Sequence, residues 1–192
     1  KQAFQLSFVL SVPPDSLGFG FSIPGTSDKA WFIEESRKRD SITVWLTDSA
    51  LYNKSILEPI ISFPFTDSAG LTTLKYDTLQ MRFVAPVQRT VRGRPPKRIP
   101  YKISHSMSGQ IRPAARIPFT APSPMRAPDT SAIYLYEITK EQRTRLPVTF
   151  SPDSMTLCRW FMNAELKSGK NYLFVSDSAA FSSIYGEYSD ST

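Results

Sequence analysis

The sequence predicts an all-β protein built from two consecutive β-sandwiches, and three observations support this class. Short apolar runs alternate with polar residues at a period of two, which is the pattern of a strand with one buried face. The 192 residues include 16 prolines and 8 glycines, a composition that favours many short segments over long helices. No strand–helix–strand alternation occurs, so a parallel α/β sheet is not expected.

Four apolar runs in the first half of the chain are predicted to be strands. In the first of them, Phe4, Leu6 and Phe8 occupy alternate positions and define one apolar face. Segments rich in Pro, Gly, Asp and Ser separate the runs, and these residues stabilise turns. The strands are predicted over residues 4–10, 17–23, 41–46 and 79–83, with turns over 13–16, 24–28 and 67–70.

The second half repeats this pattern and completes the predicted domain organisation. Its strands are expected over residues 131–137, 146–150, 156–164 and 171–175, with a turn at 166–170. The single helix-like stretch, residues 139–145 (TKEQRTR), is wholly polar and is interpreted as a solvated loop or the end of a hairpin. The spacing of strands and turns predicts β-sandwich domains over residues 1–86 and 102–192, joined by a linker over 87–101.

Aspartate occurs almost always before a hydroxyl residue. Nine of the ten Asp residues are followed by Ser or Thr. Both side chains accept hydrogen bonds from nearby backbone amides, so the pairs are interpreted as turn stabilisers at strand ends. A calcium loop would need several carboxylates close together in the chain, and no two Asp residues are closer than eight positions. We therefore expect no metal site.

The net charge of +6 is concentrated in one internal stretch. Residues 86–126 hold 9 Lys and Arg and no acidic residue, whereas the segments on either side are slightly acidic. Within this stretch RGRPPKR resembles the AT-hook, a peptide of the DNA minor groove, and its candidate binding residues are Arg92, Arg94, Lys97 and Arg98. Three interpretations stay open: a nucleic-acid contact, an anionic-surface contact, and a stiff connector extended by its prolines.

The residues give no indication of an enzyme. The only histidine, His105, has no accompanying nucleophile motif, and Glu34 and Glu35 would project to opposite faces of a strand. The single Cys158 excludes an internal disulfide, and its apolar neighbours predict a buried small side chain. We therefore expect no catalytic residue and no cofactor.

The second half resembles the S-layer-type bacterial Ig-like domain. The resemblance rests on residues 111–137 (IRPAARIPFTAPSPMRAPDTSAIYLYE), on the turn before Tyr172, and on residues 177–186. Asp is common in the family where Ser183 stands, so no ion-binding role is carried over to that corner. In the first half, residues 41–52 and 63–79 resemble the preceding domain of large envelope lipoproteins of gut Bacteroidetes.

This resemblance implies an exported, lipid-anchored protein of the periplasm or outer membrane, made of tandem Ig-like domains without catalytic residues. The chain starts at Lys1 and has no anchor cysteine there, so we expect it to be a fragment or a processed product. The expected role is a scaffold or binding module, monomeric, with an envelope glycan, a lipid or another envelope protein as partner. Candidate contact surfaces are the Pro-rich loop 121–128 and the basic linker.

Overall fold

A computed structural model describes residues 4–10, 18–84, 99–107, 109–113, 116–140 and 142–192. These residues form thirteen β-strands, one short α-helix and two single-turn 3-10 helices, so the predicted all-β class is confirmed. Every strand pair is antiparallel. The chain divides into two compact units, Lys1–Arg94 and Pro95–Thr192. They are called unit 1 and unit 2 below.

Unit 1 contains two three-stranded sheets. One has the order β1-β4-β3 and the other the order β2-β5-β6. The α-helix α1 follows β4, and the Asp48 carboxylate caps it by accepting a hydrogen bond from the Ala50 amide at 2.8 Å. The elements are β1 (Gln5–Val9), β2 (Gly20–Ser22), β3 (Trp31–Glu35), β4 (Ser41–Leu46), α1 (Ser49–Tyr52), β5 (Ile60–Thr66) and β6 (Thr72–Thr78).

The core of unit 1 lies between these two sheets. Val44 and Leu46 of β4 are fully buried, and alternation along the strand places both on the inner face. Phe21 of the second sheet packs edge-on against Trp31 of the first, with ring centroids 5.4 Å apart. Phe8 of β1 also contacts Phe21, with ring centroids 6.2 Å apart. Aromatic contacts therefore join the two sheets into a sandwich.

Unit 2 also contains two sheets, of three and four strands. Their orders are β10-β9-β13 and β11-β12-β8-β7. The strands are β7 (Ser104–His105), β8 (Ile117–Thr120), β9 (Ile133–Ile138), β10 (Arg143–Leu146), β11 (Thr149–Pro152), β12 (Arg159–Asn163) and β13 (Asn171–Ser176). Each outer strand of these sheets has one backbone edge that no neighbouring strand covers among the described residues.

Phe119 is the centre of the unit 2 core. It is fully buried, and its ring lies 5.3–5.4 Å from the rings of Phe150, Phe174 and Phe181. Because Phe119 belongs to one sheet and Phe174 to the other, the contact closes the sandwich. A cluster of large rings thus lies between the two layers, together with aliphatic residues such as Ile117, Ile133 and Leu135.

Buried hydroxyl groups hold the irregular C-terminal segment of unit 2, residues 177–192. Ser183 is fully buried, and its Oγ accepts hydrogen bonds from the amides of Tyr185 and Glu187 at 3.2 and 3.1 Å. The Tyr101 hydroxyl donates to the Ser123 carbonyl at 2.6 Å, and burial raises the pKa of Tyr101 well above its ordinary range. Backbone groups that no strand pairs are therefore satisfied by side chains.

Several predicted elements differ from the observed ones. Residues 79–83 are not a strand, because β6 ends at Thr78 and Met81 makes only an isolated bridge to Leu57. The strands β3, β5, β6 and β8 were not predicted. The stretch that was expected to be a solvated loop or the end of a hairpin has a turn at Thr139, and strand β10 begins after it at Arg143. Cys158 is half-buried rather than buried, because it lies in the turn before β12.

The interpretation of the Asp–Ser and Asp–Thr pairs is confirmed at several turns. The carboxylates of Asp48, Asp67, Asp129 and Asp153 each accept a hydrogen bond from the amide two residues ahead, at 2.8–3.0 Å. Asp77 is an exception, because it lies inside β6 opposite Ile61. The pairs therefore mark turns in most of the described cases, but the dipeptide alone does not identify one.

Candidate functional site

The four basic residues singled out in the sequence, Arg92, Arg94, Lys97 and Arg98, lie outside the residues that the structure describes. The predicted linker 87–101 overlaps that gap for most of its length. Its proposed contacts with DNA, lipid or glycan therefore stay predictions. The remaining candidate surfaces lie within the two units.

The Pro-rich loop 121–128 is not the exposed surface that the sequence suggested. Ser123 is fully buried and Met125 is 5% exposed. The Met125 amide donates to the Leu157 carbonyl at 3.0 Å, and the Arg126 amide donates to Ser182 at 2.9 Å. The prolines limit regular pairing, and the loop is instead packed between β12 and the C-terminal segment. Ala121 and Met125 of the loop therefore belong to the core of unit 2, whereas Pro122, Arg126 and Ala127 remain exposed.

Unit 2 has a cleft beside β13. It has a volume of about 580 Å³, which lies within the range of ligand pockets. One wall is the strand β13 with the turn that precedes it, and the other is the segment after β7. Its apolar lining comes from Met107, Ile111, Leu166, Tyr172 and Phe174, and its polar lining includes Gln110, Lys167, Ser168, Lys170 and Asn171. We call this cavity the β13 cleft.

The strand β13 is the edge of its sheet on the side of this cleft. It pairs with β9 on one side only. On the other side the Ser176 amide donates to the Thr192 carbonyl at 3.3 Å, and the Thr192 amide donates back to Ser176 at 2.9 Å. Thr192 therefore occupies the first position of an antiparallel neighbour to β13.

Alternation along β13 determines which of its backbone amides and carbonyls face away from β9. Since Ser176 directs its amide and carbonyl away from β9, Phe174 and Tyr172 direct theirs to the same outer side. Within the described residues no backbone group pairs with either of them there. Their side chains point into the sandwich, because Phe174 packs on Phe119 and Tyr172 borders the same core. The edge thus combines open backbone groups with an apolar floor.

A second cavity of about 290 Å³ adjoins the same strand. It lies between residues 100–105, which include β7, and residues 189–192 at the end of the chain. Phe174 lines both cavities. His105 lies here with its ring 5.6 Å from that of Phe174, and its Nδ1 accepts the Met107 amide at 3.4 Å. The open space therefore follows β13 along the side where the two sheets of unit 2 do not meet.

The electrostatic character of the β13 cleft comes from two lysines. Lys167 is exposed at its mouth, and Lys170 forms an ion pair with Glu137 at 3.1 Å. No Asp or Glu lines the cleft among the described residues. The Tyr172 hydroxyl accepts the Lys167 amide at 2.6 Å and holds the turn in place. An anionic group is therefore favoured at the Lys167 end.

Three kinds of group line the β13 cleft. Its walls offer apolar surface, amide and hydroxyl groups, and ammonium groups. In the described part of the chain, no cluster of three or more His, Cys, Asp or Glu side chains is placed to hold a metal ion. No helix among the described residues is long and apolar enough to cross a membrane.

The sequence indicated β13 as a strand but did not indicate the site. The run NYLFV, residues 171–175, predicts a strand, but its four consecutive apolar residues do not indicate which face is buried. Whether a strand lies at an edge depends on sheet order, which local alternation does not encode. One feature of the sequence does point to an edge that can pair, because none of the six residues of β13 is charged.

Comparison with known proteins gives no relative of this chain. No protein-family model, curated protein or solved structure matches it.

Proposed function

We propose that the chain is a non-enzymatic binding module of the cell envelope, formed by tandem Ig-like β-sandwich domains, and that its ligand occupies the β13 cleft. The observation that carries this proposal is the coincidence of an open strand edge with a cleft of about 580 Å³. Ligand sites of this size usually place polar groups on an apolar lining, and the β13 cleft combines apolar side chains with a larger share of polar surface, so it suits a ligand that has both kinds of group.

The walls of the cleft also favour recognition over simple spacing of domains. Phe174 is held by the buried ring of Phe119, and the Tyr172 hydroxyl is bonded to the turn at Lys167. Both side chains are thus fixed before a ligand arrives, which lowers the entropy cost of binding. Glycans, lipids and proteins of the envelope are the partner classes that the family resemblance suggests.

Site-specific photo-crosslinking tests the position of the ligand. A photoreactive residue replaces Gln110, which lines the cleft, and in a matched control it replaces Gln142, which is exposed at the β9–β10 turn. Irradiation of cells that make the protein should give an adduct from position 110 and none from position 142. Equal adducts at both positions, or none at either, would contradict a ligand in the β13 cleft.

The envelope location follows from the resemblance and has its own test. We propose export with an N-terminal lipid anchor that lies outside the 192 residues. Fractionation should place the native protein with the outer membrane or periplasm, and mass spectrometry should detect an acylated N-terminus. A native protein that carries no lipid and remains in the cytosol would contradict this location.

A second candidate function is an anionic-surface contact by Arg92, Arg94, Lys97 and Arg98. The observation that favours it is the concentration of 9 basic and no acidic residues in positions 86–126. Each cation near an anionic surface contributes about 1 kcal/mol. Reversal of all four residues to Glu should abolish co-sedimentation with lipopolysaccharide or anionic vesicles, and unchanged co-sedimentation would refute this candidate.

Nucleic acid is the remaining alternative for the same residues. Binding by these cations should be strongest at low salt, because it depends on the release of counterions from phosphates. A gel shift on A·T-rich duplex should then appear at about 50 mM salt and weaken at higher salt. If no shift appears at low salt, the nucleic-acid interpretation is wrong.

A further inference from the structure

We propose that the open edge of β13 binds an extended strand of a partner polypeptide, which lies antiparallel to β13 and continues the pairing that Thr192 begins. This inference rests on the proposed function and specifies its ligand. Addition of a strand to a sheet edge is an established mode of peptide recognition, in which main-chain hydrogen bonds supply affinity and alternate side chains supply specificity.

The direction and the register follow from one pair of residues. Ser176 and Thr192 exchange two backbone hydrogen bonds, at 3.3 and 2.9 Å. An antiparallel strand in line with Thr192 places its second residue opposite Phe174 and its fourth opposite Tyr172. These are the positions where β13 directs its amides and carbonyls outward. The partner strand thus forms up to four further main-chain hydrogen bonds at these two residues.

The side-chain pattern of the partner follows from the same register. Residues directly opposite each other in an antiparallel pair point to the same face. Because Phe174 and Tyr172 point into the sandwich, the second and fourth residues of the partner enter the apolar part of the cleft. The first and third residues face outward beside Val175 and Leu173. The partner therefore has apolar residues at its second and fourth positions.

The charge of the cleft predicts which end of the partner carries acid. An antiparallel strand runs towards Asn171, so its C-terminal end reaches the turn that contains Lys167 and Lys170. No carboxylate lines the cleft among the described residues. An acidic residue or a C-terminal carboxylate at that end is favoured by the nearby ammonium groups.

A polypeptide fits these features better than a glycan or a lipid does. The outward amides and carbonyls of Tyr172 and Phe174, which no described residue pairs, alternate as donor and acceptor at the spacing of a strand, and a second strand matches that spacing over its whole length. A lipid chain would leave the amides and carbonyls of Tyr172 and Phe174 without partners, which is costly once water is excluded. The edge therefore selects a peptide backbone.

A tethered strand provides the test. The chain is extended after Thr192 by Thr-Val-Thr-Val, which places Val opposite Phe174 and Tyr172. The matched control carries Val-Thr-Val-Thr, which has the same composition and the opposite phase. Tethering gives an effective concentration in the millimolar range, so weak affinity does not mask binding. Amide hydrogen exchange of Tyr172 and Phe174 is measured by NMR in both chains and in the chain without extension.

The in-phase strand should slow exchange at both amides by on the order of tenfold or more, because pairing protects them from solvent. The out-of-phase strand should leave them near the rates of the original chain. Equal rates in all three chains would overturn the inference. Protection that rises with concentration in the unextended chain would overturn it too, since a second copy would then occupy the edge.

The two proposals fail separately. If position 110 crosslinks to a ligand and the in-phase strand gives no protection, the β13 cleft binds something other than a strand, and only this inference is lost. If position 110 gives no adduct and the in-phase strand does protect both amides, the edge accepts a strand but the proposed cellular function is wrong.

Discussion

The two units expose different kinds of sheet edge. In unit 1 the second sheet ends at β6, which is mostly exposed and carries Lys75 and Asp77 within the strand. In unit 2 the edge strand β13 carries no charged residue, and five of its six residues are at least half-buried. Charges on an edge strand discourage pairing with another chain. The β6 edge of unit 1 is therefore protected from pairing, whereas the β13 edge of unit 2 is suited to it.

The cores of the two units differ in a related way. The buried core of unit 1 is apolar and combines aliphatic residues with Trp31. Unit 2 surrounds Phe119 with rings and also buries four serines among its described residues, namely Ser123, Ser176, Ser183 and Ser189. Buried hydroxyl groups therefore accompany the apolar core of unit 2, whereas the buried residues of the unit 1 core are apolar. The following substitutions are ordered from the largest expected effect to the smallest.

Substitution Phe119→Ala should have the largest effect, because it removes the ring that joins the two sheets of unit 2. Loss of a buried aromatic side chain costs about 3–5 kcal/mol of unfolding free energy. The two cores share no residue, so unit 1 should keep its stability. Urea titration followed by NMR signals from each unit measures this separation.

A matched control for that substitution is Phe65→Ala in unit 1. Phe65 is 45% exposed, so its loss should change stability by less than about 1 kcal/mol. If Phe119→Ala lowered the urea midpoints of both units equally, the comparison between two separate cores would be wrong.

Substitution Ser183→Ala tests the buried hydroxyls of unit 2. It removes the two hydrogen bonds that the amides of Tyr185 and Glu187 donate to the Ser183 Oγ, and each such bond contributes about 0.5–1.5 kcal/mol. Ser182→Ala is the matched control, because the Ser182 side chain is half-buried and the same methyl group is introduced. Equal urea midpoints for the two variants would show that the hydroxyl of Ser183 does not stabilise the segment.

Removal of the charges on β6 should make its edge as prone to strand pairing as the uncharged edge of β13. The double substitution Lys75→Val and Asp77→Val is expected to change folding stability by no more than about 0.5 kcal/mol. It should nevertheless promote self-association, which light scattering at rising concentration would detect. The control substitution Lys140→Val, at an exposed turn, should not change self-association. Absence of association in the double variant would show that the charges do not protect this edge.

The smallest effect concerns the Asp129 cap in unit 2. Hydrogen bonds from the Ser131 hydroxyl and amide hold the pKa of Asp129 below its ordinary value of 3.8. A depressed folded pKa contributes stability above about pH 3.8, and this contribution is lost as the pH falls through the folded pKa. Asp129→Asn keeps an acceptor and should remove this dependence between about pH 5 and 2. Thermal unfolding of both proteins across that range measures it, and parallel curves would contradict the assignment.

The fold class was predictable because alternation is a local property. Phe4, Leu6 and Phe8 define an inner face at the level of sequence, and β1 has that face. The strands β5 and β6 were not predicted, because prolines, threonines and a lysine obscure their alternation. The candidate site was not predictable for a different reason. The edge position of β13 results from sheet order, which depends on pairing between distant segments.

The β5–β6 hairpin has a consequence for how unit 1 folds. Its turn is closed by Asp67, whose carboxylate accepts the amides of Ala69 and Leu71 at 2.9 Å, and Gly70 adopts the positive φ of 82° that the turn requires. Paired residues of β5 and β6 are 6–18 positions apart, from Thr66↔Thr72 to Ile60↔Thr78, whereas Ser22 of β2 must find Ile60 of β5, 38 positions away. Hairpins form in about 1–10 μs, and long-range pairing is slower. The exposed hairpin is therefore expected to form before β2 joins the sheet and to serve as the template on which β2 aligns.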